Sequence, residues 1–109
     1  MVSLKQMENS ENVIIKKFED TPKRVYIDMV YIDKFGRHEH TVTFDKTIEP
    51  VFDNILLLNH CDCTSCSNFE INKKRFCMYK IAATKELVRR GFLKEGFYEE
   101  IKENAHEDD

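Results

Sequence analysis

A chain of 109 residues, 41% of them hydrophobic and 34% charged, carries apolar material for one modest core and reads as a single domain. It contains no apolar run near the roughly 20 residues of a membrane-spanning helix. A formal net charge of −3 argues against bulk coating of nucleic acid, although a local basic face remains open to it.

Residues 1–12 are polar and without period, so a flexible N-terminal segment is expected ahead of the domain at residues 13–104. That start has no apolar stretch of the signal-peptide kind, and a cytoplasmic address is expected. Val13, Ile14 and Ile15 open a short strand ending near residue 19, and Asp20-Thr21-Pro22-Lys23 reads as a turn. Residues 24–33 make the best strand, with β-formers on both faces, which suggests a central position or a helix over one face. A hairpin loop at residues 33–37 places Gly36 where a positive φ is needed. The return strand, 38–44, sets His38, His40, Val42 and Phe44 on one face and Glu39, Thr41 and Thr43 on the other.

Residues 45–53 read as a connection, and the apolar run 54–58 as a strand leading into the cysteines. A helix is expected from about 76 to 90, closed by Gly91. Its predicted buried face carries Phe76, Cys77, Ile81, Ala83, Thr84, Leu87 and Val88, with Arg75, Met78, Ala82, Lys85 and Arg89 opposite. A second, weaker helix at 94–104 uses Phe97, Tyr98 and Ile101, and 105–109 reads as an acidic tail. The expected fold is α+β: a small antiparallel β-meander, then a zinc knuckle, then two C-terminal helices.

All four cysteines, Cys61, Cys63, Cys66 and Cys77, lie within 17 positions of one another. Such clustering points to one shared site, and zinc, tetrahedral and fond of thiolates, is the first candidate occupant. Lys73, Lys74 and Arg75 offset the charge of a thiolate cluster. Disulfides, an iron–sulfur cluster and unliganded thiols are the alternatives. The spacing matches neither ferredoxin pattern, and a cytosolic address disfavours disulfides. His60 is a reserve ligand, as are His38 and His40 should the hairpin fold over the site.

Cys61-Asp62-Cys63, a spacer, Cys77-Met78-Tyr79 and the helical Ile81-Ala82-Ala83 together resemble the SWIM zinc finger, over roughly residues 55–87. That family reads Cys-x-Cys, a variable spacer and Cys-x-His, followed by a helix. Here Tyr79 stands in place of the zinc-binding histidine, and Cys66 stands where many members carry an aromatic residue. The resemblance therefore implies a four-cysteine site with Cys66 as substitute ligand. It also implies binding of DNA or protein, since such modules occur in transposase-related, chromatin-remodelling and recombination-mediator proteins. Small stand-alone members partner a RecA-like recombinase paralogue.

Three classes of function follow. The first is a non-enzymatic zinc-binding module contacting DNA or a protein partner through Lys73, Lys74, Arg75, Met78, Lys85 and Arg89, with Phe69 nearby. The second is a small archaeal or viral regulator, in keeping with abundant Lys, Glu and Ile, whose zinc is purely structural. The third, an enzyme, lacks support: four thiolates close the metal, no small-molecule substrate is indicated, and no phosphate-binding glycine loop exists. Cys63-Thr64-Ser65-Cys66 has redox spacing, but Cys61 two residues away fits a metal better.

Overall fold

The computed structural model describes residues 2–49, 59–62, 77–103 and 105–106. Along the chain these form β1 (Val2–Ser3), α1 (Leu4–Ser10), β2 (Ile14–Asp20), β3 (Arg24–Asp33), β4 (Gly36–Asp45), β5 (Asn59–Cys61), α2 (Met78–Arg89), α3 (Glu95–Glu103) and β6 (Ala105–His106). The architecture is α+β, as expected. An antiparallel sheet in the order β2-β3-β4-β5 carries helices on one face, and β1 pairs with β6 in a separate parallel ribbon. No described helix is long and apolar enough to cross a membrane.

Alternation along β3 makes the sheet two-faced. Val25, Ile27 and Met29 are buried and meet Val42 and Phe44 of β4 on the same face. Ile81, Ala83 and Leu87 of α2, Leu93, and Ile101 of α3 complete this core. The other face is mixed, and there Thr41 Oγ1 donates to Asp28 Oδ1 at 2.7 Å. At its hairpin end Ile14 lies opposite Val30, and Ile32 follows two residues on.

A bulge between Ile15 and Lys17 shifts the register of β2. Ile15 faces Met29 and Phe18 faces Ile27, so three residues of β2 span two of β3. Both side chains therefore reach the core side despite their odd spacing. The β3–β4 hairpin turns through Lys34 and Phe35, with Asp33 paired to Gly36. Gly36 takes φ +123°, as its place in the turn requires. The Asp33 carboxylate accepts from the Phe35 N–H at 2.8 Å, closing the turn.

α2 ends as predicted. Gly91 adopts φ +86°, Phe92 N–H donates to Leu87 O at 2.9 Å, and Gly91 N–H to Val88 O at 3.1 Å. Phe92 then stacks against Phe18, centroids 5.6 Å apart, and the Arg90 guanidinium lies 3.9 Å above the Phe18 ring. This cluster ties the end of α2 to the bulged strand.

Three expectations are corrected. The N-terminal segment is not without structure: residues 4–10 form α1, capped by Ser3, whose Oγ accepts from Gln6 N–H at 3.2 Å. The start of the acidic tail is ordered too, because Ala105 and His106 pair with Val2 and Ser3. On α2, Ala82 is buried rather than exposed, and Lys80 is fully buried. α1 packs on α2, a neighbour that the helical wheel did not include, whereas Lys80 lies on the same arc as the buried Thr84 and Leu87. The strand expected at 54–58 lies outside the described residues, as does Phe76. The strand adjoining the cysteines is seen at Asn59–Cys61.

Candidate metal centre

Two of the four cysteines are described, and they come from opposite ends of the ligand stretch. Cys61 is the last residue of β5, paired with Val42. Cys77 is the N-cap of α2, and its sulfur makes no capping bond to the helix amides. Both are buried, in the same core, on elements that pack against each other. They are not joined to one another by a disulfide. A strand end and a helix start are rigid mounts for the two side chains.

Cys63 and Cys66 lie outside the described residues, so the four-cysteine set is seen only in part. Among the described residues, no three of His, Cys, Asp and Glu converge tightly enough to hold a metal by themselves. The described thiols fit a zinc site in donor type and burial, and the remaining donors of such a set would come from residues outside those described.

Asp62, His40 and Tyr79 line the junction. Asp62 follows Cys61, and its N–H donates to Thr41 O at 3.3 Å. Asp62 Oδ1 accepts from Thr41 N–H at 3.0 Å and lies 3.1 Å from His40 Nδ1. The His40 ring meets Tyr79 edge-on, with centroids 4.7 Å apart. Tyr79, at the position where the SWIM pattern has histidine, thus rests against an imidazole supplied by β4. His40 reaches this corner from its regular place in the sheet, opposite Met29. His38 is engaged at the hairpin turn, with Nε2 3.0 Å from Asp33 Oδ1. His60 is opposite Thr43 in β5.

The start of α2 is secured from a distance. Gln6 Oε1 of α1 accepts the Met78 N–H at 2.8 Å, acting as a cap from 72 positions away. No periodicity signalled this contact.

Of the expected contact residues, Lys73, Lys74 and Arg75 lie outside the described residues, and Met78 is half-buried. Lys85 is exposed, with Nζ 5.7 Å from the centroid of Tyr98. Arg89 is exposed but engaged: Nε and Nη2 each donate to a different Glu86 oxygen at 2.7 Å. Arg90 Nε adds a third bond to Glu86 at 2.8 Å. These guanidiniums, Arg89 foremost, pull the Glu86 carboxyl down to about 2 from its usual 4.5.

The sign of the linkage follows. A depressed carboxyl contributes stability that is complete above its unfolded value and is lost as pH falls through the folded one. The stability advantage of wild type over Glu86→Gln should hold at pH 6 and shrink between pH 4.5 and about 2. Urea midpoints across that range check this, and a constant difference would count against it.

Comparison with protein-family models, curated proteins and solved structures finds no match.

Proposed function

We propose that this chain is a non-enzymatic zinc-binding module that acts by contacting a protein partner or DNA. The observation that carries the reading is the meeting of Cys61 and Cys77 in one core, at the junction of β5 and α2. Ligands from a strand end and a helix start, sixteen positions apart, staple the two layers of the fold together. With Cys63 and Cys66 they would complete a tetrahedral thiolate site whose chemistry is structural. A closed site leaves no position for a reacting water.

A protein partner is favoured over nucleic acid. Net charge is −3, and Arg89 already spends its guanidinium on Glu86. The resemblance to SWIM modules makes a RecA-like recombinase paralogue the first partner to try. A second reading, a structural zinc with the working surface elsewhere, draws support from the exposed Ile14, Ile32 and Phe35 near the hairpin end of the sheet.

Metal content with a thiol count tests the zinc. About one zinc per chain, with four thiols released only by chelator, supports the site. A metal-free chain, or one holding iron, sinks it. The expected DNA result is weak binding at low salt with a shallow slope of log K against log salt. Lys85→Glu with Arg89→Glu should flatten that slope further. A steep slope lost in the double variant would reverse the preference for protein.

A further inference from the structure

We infer that the outer edge of β2 pairs with β2 of a second copy of this chain, antiparallel across a twofold axis at Phe18, so that two sheets join into one. What points to a second copy is a reversal of charge along that edge, and it is independent of the metal.

β2 stands at one end of the strand order β2-β3-β4-β5, so one side of its backbone meets no strand among the described residues. Two bonds fix which groups point that way. Lys46 N–H donates to Lys23 O at 2.9 Å, and Thr21 N–H donates to Arg24 O at 2.8 Å. Hydrogen-bonded and non-hydrogen-bonded pairs alternate along an antiparallel ladder. Counted from Thr21, Glu19 and Lys17 bond inward to Tyr26 and Asp28 of β3. Phe18 and Asp20 therefore turn their N–H and C=O groups to the open edge. The Phe18 side chain packs on the core side, while Lys17 and Glu19 are exposed on the other face. Lys16 holds Glu39 and Asp20 holds Lys46, whereas Lys17 and Glu19 make no ion pair among the described residues.

The run Lys16-Lys17-Phe18-Glu19-Asp20 is basic before Phe18 and acidic after it. A copy that meets it antiparallel reverses this order. Outward-pointing groups must meet outward-pointing groups, so a twofold pair places one residue of β2 opposite itself. Centred on Lys16, Lys17, Glu19 or Asp20, the pair sets like charges face to face, which is destabilising. Centring on Ile14 or Ile15 leaves most of the strand unpaired. Centred on Phe18, the pair sets Lys17 opposite the second copy's glutamate and Glu19 opposite its lysine. The two Phe18 residues exchange both backbone bonds, and the flanking Lys17–Glu19 pairs are of the non-hydrogen-bonded kind, where side chains stand closer. Each contact then occurs twice, as a twofold dimer requires. Arg90, above the Phe18 ring, comes to the axis already bonded to Glu86 at 2.8 Å, so its charge is answered within its own chain. Lysines and bulges ordinarily guard an edge strand. Here the bulge lies at the Ile15–Lys17 end, and the two lysines are balanced by the two acids that follow.

The test is the mass of the full chain in solution, kept reduced, by sedimentation velocity over a concentration series. Wild type should pass from monomer to dimer as concentration rises. Lys17→Glu alone and Glu19→Lys alone each put like charges into both facing pairs, and each should weaken the dimer on the order of tenfold or more. Mixed in equal amounts, the two single variants should recover it as a heterodimer, because one carries only acids at these two positions and the other only lysines. Both positions are exposed, so the variants should keep the wild-type circular dichroism. Should a single variant misfold, the double swap Lys17→Glu with Glu19→Lys decides, and it should dimerise like wild type. A wild-type chain that stays monomeric up to its solubility limit would overturn the inference. So would a dimer that both folded single variants leave intact, or one that neither the mixture nor the double swap restores, because the contact would then lie elsewhere.

Discussion

If Cys77 is a zinc ligand as proposed, Cys77→Ser is expected to lose the metal and most of the fold's stability, even though serine is the better helix cap. The opposing effects make the variant decisive. Cys77 is the N-cap of α2 with no capping bond, and a serine there gains roughly 1 kcal/mol of cap. Burying a hydroxyl at a site 4% exposed costs about 1–3 kcal/mol. A cysteine that merely packs in the core therefore predicts a change of at most about 2 kcal/mol. A zinc ligand predicts far more, because structural zinc contributes on the order of 10 kcal/mol against a net stability of about 5–15. Thermal unfolding with and without chelator separates the two. Under the zinc reading chelator lowers the wild-type midpoint steeply and does nothing further to Cys77→Ser. Equal midpoints for wild type with and without chelator would return Cys77 to ordinary packing.

Deleting residues 1–12 should cost about 3–5 kcal/mol, the sum of a lost cap and lost apolar burial. Gln6 caps Met78, Met7 packs on the core, and Ser10 is buried with its hydroxyl donating to Met7 O at 2.6 Å. Without α1 the part of α2 that it packs against is opened to water. For a domain of this size that loss lowers the melting temperature by more than about 10 °C. Gln6→Ala isolates the cap and should cost about 1 kcal/mol, or roughly 4–8 °C. A truncated chain melting with wild type would show that α1 is an ornament. If instead the truncated chain keeps its stability but loses zinc, Gln6 would be serving the Cys77 end of the site and not the core.

The legible parts of this fold are those where one local rule acts alone. β3 was readable to its ends because every β-former from Val25 to Ile32 agreed, and the hairpin because Asp33 and Gly36 share one turn chemistry. Gly91 marked the end of α2 for the same reason. The β2 bulge was hidden, since Ile15 and Phe18 at odd spacing look like opposite faces until the extra residue is known. α1 was hidden because Leu4 and Met7 give it only two apolar positions, and its anchor, Gln6, acts at long range. Lys80 shares the inward arc of Thr84 and Leu87, and only its residue type, ordinarily a surface one, hid its burial. At the site the thiols announced themselves through spacing. The Asp62–Thr41–His40 cluster did not, because a lone aspartate between cysteines is indistinguishable from solvated charge.

The parallel ribbon of Val2–Ser3 with Ala105–His106 has one more implication. It sets Val2 beside Ala105 and Ser3 beside His106, so the first and last described segments are neighbours and the described chain is nearly circular. A circle can be reopened elsewhere. The natural cut is Lys34–Phe35, where Phe35 is 81% exposed and only a two-residue turn is severed. Joining the old ends through a short linker would convert the ribbon into a covalent bridge, and β3 and β4 would become the new terminal strands. Their ten paired positions would then meet as the last and first segments of the chain, making the sheet centre the longest-range contact in the molecule. Such a permutant should keep the native structure and fold more slowly to reach it.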